Sequence, residues 1–355
     1  MAEKRHRVAI VGCGRMGEIY ADAYSTYPDT EIVAIAEYNP ERRKAVGERF
    51  GVTALYQDAP ALFREIVPDV AAVILPVKYV KEAVVAAAEA GVKGVSSDKP
   101  LAAKLSDADD MVRVCDSRGV VFGGGNLQRA MNEVQEAAGR VREGRYGKLI
   151  GASVHGWGNQ VSGGGCQHIS VLRLLTGAEI DEVVAWGKPA EALESGSDTG
   201  LTLSSMFRLS NGMECSGFGE PTPGRGVDVW SEESLIRWNW APPEVYQGFD
   251  EHGHRLHMNI AYAPYQWSEF GYLTGSIRSF LAAVETGSNL WISGHDLRQA
   301  LEVAIATRES ALRGNVPVKL PLEDRSLAIY PSAYRWHGGD FGTEEQTPAE
   351  VTPGR

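Results

Sequence analysis

The sequence predicts an α/β fold, with a doubly wound parallel sheet in the first third and a second, α+β domain after it. Three observations carry this reading. Apolar stretches alternate with helical patterns from residue 7 to residue 125. The first apolar stretch, VAIVGCGRMG, breaks into Gly12-x-Gly14-x-x-Gly17. Beyond residue 180 the pattern changes to antiparallel strands, with Asn211-Gly212 between LTLSSMFRLS and MECSGFG as a two-residue hairpin signal. A chain of 355 residues exceeds one ordinary core. We therefore expect a nucleotide domain over 1–125, a second domain over 126–338, and a loose polar tail over 339–355.

In order along the chain, strands are expected at Arg7–Val11, Glu31–Glu37, Val70–Leu75, Val92–Ser97 and Val120–Phe122, with a weaker one near Thr53–Tyr56. Strands that are apolar throughout and separated by helices indicate a parallel sheet covered on both faces. The clearest helix is Lys78–Ala90, whose Val80, Val84, Ala87 and Ala88 share a face. In the second half, His295-Asp296 opens a helix over Leu297–Arg313, with Asp296 as the expected cap.

Composition narrows the function. The net charge is −11 and no basic stripe stands out, so nucleic acid is not the expected partner. No run of eighteen apolar residues is present, and the strand begins directly after MAEKRH without a signal-peptide pattern. The expectation is a cytoplasmic protein without membrane attachment. Cys13, Cys115, Cys166 and Cys215 are far apart in sequence, which disfavours a disulfide scaffold or zinc ribbon. His252-x-His254-x-x-His257 crosses an expected turn without acidic or thiol support, so no metal is expected.

The glycine turn supplies the first chemistry. A strand ending in this spacing and opening a helix presents backbone N–H groups to a pyrophosphate, here from Gly12, Cys13, Gly14, Arg15, Met16 and Gly17. Glu37 closes the second strand, twenty residues after Gly17. A carboxylate there accepts both ribose hydroxyls and repels a 2′-phosphate, which favours NAD over NADP; Arg42 and Arg43 on the next helix are the opposing feature. Pro76 follows the Val70–Leu75 strand beneath the expected cofactor. Asp98-Lys99-Pro100 follows the Val92–Ser97 strand, placing two ionisable groups at the ligand-binding edge of a parallel sheet.

Taken together, the glycine turn, the strand-end acid and the Asp-Lys-Pro motif resemble the Gfo/Idh/MocA oxidoreductases. Gly125–Asn132, Gly144-x-x-Gly147 and the block from Gly163 to Gly177 extend the resemblance over residues 6 to 320. It implies a Rossmann domain followed by a large, open, mostly antiparallel sheet with helices on one face. It further implies that 126–338 is a substrate-binding and oligomerisation domain, with assembly as a homodimer or homotetramer through that sheet. In this family the motif lysine, here Lys99, touches cofactor and reacting hydroxyl, and the acid before it, here Asp98 where glutamate is commoner, contacts the ribose side. The resemblance also points to Asn126, Gln128 and Arg129 as substrate-binding residues.

The block GGGCQHISVLRLLTG departs from the family pattern. If Gly177 and Arg173 hold the register, Gln167 takes the histidine position and Ser170 the aspartate position. If His168 is the proton carrier, Val171 replaces the aspartate. In either register the usual histidine–aspartate pair is missing. His155 is a reserve catalytic candidate, with Trp157 placed on its side of the strand by alternation to cover a sugar face. The aromatic stretch from Trp230 to Tyr272, including Trp238, Trp240 and Trp267, is expected to add one or two residues to the site.

These features imply an NAD-dependent oxidoreductase acting on a secondary hydroxyl of a sugar, sugar derivative or cyclic polyol. One alternative is an NAD-dependent glycoside hydrolase working by transient C3 oxidation and elimination. A second is a non-catalytic nucleotide-sensing regulator on the same scaffold.

Overall fold

A computed structural model describes residues 6–158, 160–263 and 271–338. The chain forms two compact units, one of Met1–Asn126, Ser268–Arg298 and Ser332–Arg355, the other of Leu127–Trp267 and Gln299–Pro331. Trp267 and the tail 339–355 lie outside the described residues.

In the first unit the elements are β1 (His6–Val11), α1 (Arg15–Thr26), β2 (Thr30–Ala36), α2 (Pro40–Phe50), β3 (Leu55–Tyr56), α3 (Ala59–Glu65), β4 (Val70–Val73), α4 (Val77–Ala90), β5 (Gly94–Ser97), α5 (Leu105–Arg118) and β6 (Val121–Gly123). All strand pairs are parallel, in the order β3-β2-β1-β4-β5-β6. Local chemistry sets the helix ends. Asn39 and Asp58 accept the Arg42 and Ala61 amides as N-caps before Pro40 and the Ala59-Pro60 start of α3, while Gly51, Gly91 and Gly119 close α2, α4 and α5 in left-handed conformation. The order reverses between β1 and β4, and that crevice is the topological switch point where such sheets bind ligands.

The second unit contributes α6 (Asn132–Arg142), β7 (Gly151–His155), α7 (Cys166–Thr176), β8 (Ile180–Lys188), α8 (Ala190–Ser195), β9 (Thr202–Leu209), β10 (Glu214–Phe218), β11 (Gly226–Trp230), β12 (Ser234–Trp238), β13 (Glu244–Phe249) and β14 (Arg255–Met258). A 3₁₀ turn, Gln128–Ala130, precedes α6, and a π-helical turn, Val161–Gly165, leads into α7. The chain then enters α9 (Tyr272–Thr286) of the first unit and α10 (Gly294–Leu312), which has residues in both units. The last elements among the described residues are β15 (Val318–Lys319) of the second unit and α11 (Ala333–His337) of the first. Among the described residues the second sheet has nine strands in the order β14-β13-β12-β11-β7-β10-β9-β8-β15. All its pairs are antiparallel except β7 with β10.

One face of this sheet, with Ala152, Val154, Phe207, Cys215, Val227, Val229 and Ile236, is buried, and α7 packs on β7 and β11. Trp186, Met206 and Phe218 project from the other face and are exposed. In the first unit, α1 and α9 cover Val8, Ile10, Ile35 and Ala72 with Tyr20, Tyr24, Ile277 and Phe280.

One local expectation is corrected. The cap of α10 is Ser293 rather than Asp296. The Asp296 amide donates to Ser293 Oγ at 3.1 Å, and the Ser293 amide donates back to the Asp296 carboxylate at 2.9 Å. A capping box of this kind places the acid three residues inside the helix.

Candidate functional site

The glycine turn is shaped by close backbone approach. Gly12 has φ +91°, and a Cβ there would collide with the Ile74 carbonyl oxygen beyond β4. A Cβ at Gly17 would strike the Gly12 carbonyl oxygen, so α1 rests directly on the turn. Gly14, the residue before α1, differs: nothing lies within 4 Å of its Cβ position. The gap stands at a helix N-terminus whose amides and dipole favour an anion, so the residues present fit a dinucleotide pyrophosphate. Arg15 and Met16 begin α1 immediately beyond it.

Glu37 is buried just past β2 and is part of the same turn. Its Oε2 accepts the Cys13 amide at 2.7 Å and Oε1 accepts the Asn39 amide at 2.9 Å. The Arg42 guanidinium lies 3.7 Å from Oε1, while Arg43 donates to the Glu37 carbonyl at 2.6 Å. Each carboxylate oxygen keeps a further lone pair for a ribose hydroxyl. The Cys13 side chain is fully buried, and burial pushes its thiol well above the ordinary range, with the Glu37 charge acting in the same sense. It is a packing residue rather than a thiolate.

At the end of β5, Asp98 Oδ1 accepts the amides of Lys99 at 2.7 Å and Asn126 at 3.1 Å, tying the ends of β5 and β6 together. Lys99 is half-buried, and its Nζ makes no hydrogen bond or ion pair with a described residue. Pro76 stands directly before α4.

The second unit gathers another set. Gln167 and His168 are both buried on the first turn of α7. Gln167 Oε1 accepts the Gln128 amide at 2.8 Å and so pins the 3₁₀ turn to the helix start. Arg129 donates to the Ser170 carbonyl at 3.0 Å. The His168 ring meets the edges of Trp238 and Trp240 at centroid distances of 5.7 and 5.9 Å. Those two indoles stack on each other at 5.6 Å, and the Arg225 guanidinium lies 4.0 Å over Trp240.

Both His168 ring nitrogens, both indole N–H groups, Gln128 Oε1 and Ser170 Oγ are buried without a hydrogen-bond partner. Unpaired buried polar atoms are costly, and a cluster of them marks a place completed by ligand or water. Burial pushes the His168 imidazole down to about 4; the nearby Gly164 carbonyl acts against this, and the Arg225 and His155 charges act with it. His168 is therefore neutral at pH 7. Trp240 also holds φ +68°, a conformation a bulky residue rarely adopts.

His155 is placed differently. Strand pairing aligns it with Gly226 and Phe218 on the sheet face opposite α7. Its Nε2 lies 2.8 Å from Ser153 Oγ and 3.5 Å from the Asp228 carboxylate. Burial alone would raise the Asp228 carboxyl, but hydrogen bonds and charge from His155 and Arg237 hold it below the usual carboxylate range. Trp157 does not accompany His155. The strand ends at His155, Gly156 turns the chain with φ +66°, and Trp157 is fully buried against Phe207 at 5.3 Å. Strand alternation fails there because the strand has already stopped.

The sequence marked the aromatic stretch but not which of its members adjoin His168. Pairing of Trp238 with Val227 puts its indole on the α7 side, and only that register brings it to His168. Among the described residues no three His, Cys, Asp or Glu side chains converge as a metal site. No helix among them is long and apolar enough to cross a membrane.

A six-stranded parallel sheet with this glycine turn defines a Rossmann nucleotide-binding unit, joined in one chain to a unit with a large, mostly antiparallel sheet. Residues 6–125, about a third of the chain, match the Gfo/Idh/MocA family described as "Oxidoreductase family, NAD-binding Rossmann fold". A D-apiose dehydrogenase from Paraburkholderia graminis is 31% identical over 144 residues, covering 41% of this chain and 38% of that protein. A myo-inositol 2-dehydrogenase from Thermotoga maritima is 23% identical over 325 residues, covering 86% and 96%. The chain spans less than half the length of the first curated relatives it matches. The fold is shared with an inositol dehydrogenase homolog from Azotobacter vinelandii, solved with NADH and myo-inositol, at a TM-score of 0.75 and 16% identity over 89% of this chain and 98% of that one.

Proposed function

We propose that this protein is an NAD-dependent oxidoreductase that transfers a hydride between a secondary hydroxyl of a sugar, sugar derivative or cyclic polyol and nicotinamide. The observation that carries the reading is Lys99, a half-buried lysine with an unpaired Nζ at the ligand-binding edge of a Rossmann sheet. Sugar and polyol dehydrogenases among its relatives support the substrate class.

Nicotinamide, when bound, supplies the hydride acceptor. Lys99 Nζ, as an ammonium, lowers the pKa of the substrate hydroxyl and stabilises the developing alkoxide. His168, neutral at pH 7, accepts the hydroxyl proton through a ring nitrogen. Trp238 and Trp240 offer apolar faces to C–H groups and indole N–H groups to oxygens. Gln128, Arg129 and Asn126 shape the remainder of the substrate site, with Gln167 bracing Gln128. Glu37 takes the ribose hydroxyls and selects NAD over NADP. His155 keeps the reserve role, on the sheet face opposite α7. Within the span 126–338 it is the second unit that serves as the substrate-binding and oligomerisation domain, and its exposed face carrying Trp186, Met206 and Phe218 pairs with a second copy of the chain.

The test is NADH formation with a panel of sugars, polyols and aryl glycosides, NADP⁺ being compared with NAD⁺. Turnover of a polyol or sugar that Lys99→Met abolishes supports the reading. Aglycone release without net NADH formation would replace it with redox-neutral glycoside cleavage. Dinucleotide binding without turnover on any panel member would replace it with a sensing role.

A further inference from the structure

The switch-point crevice of the first unit is bordered by a segment distant in sequence. The short helix α11 packs on α4, and Gly338 just after it lies against the Pro76 ring, where an added Cβ would come within 2.9 Å of Pro76 Cγ. Pro76 is two residues past Ile74, whose carbonyl touches Gly12 of the glycine turn. Residues 332–338 thus reach the β4 side of the β1–β4 crevice, within the same compact unit.

Arg335 stands one helical turn before Gly338. Its Nε donates to the Tyr334 hydroxyl at 2.6 Å, and its guanidinium lies 5.4 Å over the Tyr334 ring. Its Nη1 is buried and has no hydrogen-bond partner, and no described carboxylate pairs with it. A guanidinium is always charged, and a buried N–H of such a group left unpaired costs free energy. The usual remedy is an anionic oxygen. In a bound dinucleotide the pyrophosphate is the anionic part, and it sits at the switch point on the N-terminus of α1.

We propose that Arg335 is a pyrophosphate-binding residue, so that the segment 332–338 forms part of the dinucleotide site beside the glycine turn. The inference rests on the dinucleotide-binding reading above. Tyr334 holds the guanidinium plane while Nη1 donates to a phosphate oxygen.

The test is isothermal titration of the full chain with NAD⁺, ADP-ribose and adenosine, comparing wild type with Arg335→Met and Arg335→Lys. Arg335→Met gives up only the Nε bond and ring contact to the adjacent Tyr334, so its melting temperature without ligand is expected to fall by no more than a few degrees. The expected result is a 10- to 100-fold (about) weaker Kd for NAD⁺ and ADP-ribose alike in Arg335→Met, as for loss of a charge-assisted hydrogen bond. Arg335→Lys should recover part of the loss, and adenosine should bind the three proteins equally. Unchanged Kd values for both pyrophosphate ligands would overturn this inference and leave the dinucleotide reading standing. Failure of folded wild type to bind NAD⁺ or ADP-ribose would overturn both.

Discussion

His168 makes a quantitative prediction about stability and pH. Its folded pKa is pushed down to about 4 by burial, against about 6.5 in an unfolded chain. Between these values the unfolded state binds more protons, so stability must rise with pH there. The contribution is complete above about pH 6.5 and is lost progressively as pH falls toward 4. Converting the two pKa values by linkage, the second unit should lose about 2 kcal/mol between pH 7.5 and pH 5 from this one ring. The perturbation is His168→Gln, which removes the titrating group and keeps polarity. The assay is urea unfolding at both pH values, read by tryptophan fluorescence, because Trp238 and Trp240 adjoin the ring. Carboxylates common to both proteins cancel in the difference. Wild type should therefore lose about 2 kcal/mol more than His168→Gln on acidification. An equal loss in the two proteins would refute the burial argument. A bound hydroxyl compound that accepts from the ring should raise its pKa and flatten the difference.

Four other substitutions separate folding from function. Gly14→Ala should leave the melting temperature unchanged, since nothing lies within 4 Å of the new methyl, yet weaken NAD⁺ binding measured by titration. Gly12→Ala, strained at φ +91° and against the Ile74 backbone, should lower the melting temperature of the apo-protein as well. Lys99→Met should retain NAD⁺ affinity within a few fold while kcat falls roughly 10²- to 10⁴-fold, the range for loss of a positioned proton-transfer or electrostatic group; an unchanged kcat would remove Lys99 from the reaction. Trp157→Ala should cost about 3–5 kcal/mol in chemical unfolding, because the indole is fully buried against Phe207; a loss under about 1 kcal/mol would show that the site collapses or is not packed as described.

The first unit was largely legible. Parallel strands buried on both faces read as unbroken apolar runs, and the glycine spacing encodes a turn that only one backbone geometry satisfies. The expected strands from Arg7 to Phe122 accordingly appear as β1 to β6 in doubly wound order. The place of the β9–β10 hairpin was legible but not its form: the Leu209 amide donates to the Met213 carbonyl across a three-residue loop, and of Asn211 and Gly212 only Gly212, at φ +83°, is left-handed. The side on which Trp157 falls was not legible. Alternation holds only while a strand continues, and a left-handed Gly156 ends it.

The sequence by itself determined a Rossmann unit at the head of the chain, an acid at its second strand and a lysine at its fifth, because each depends on short-range spacing. Tertiary structure alone decided what surrounds His168. Trp238 and Trp240 are seventy residues or more away in sequence, and Arg225 is nearly sixty. They reach the ring through the β11–β12 register, a long-range pairing no local pattern carries. The same holds for Arg335, brought to the β4 edge by packing of α11 on α4. Burial, which sets the protonation of His168 and leaves Arg335 Nη1 without a partner, is a property of the assembled fold.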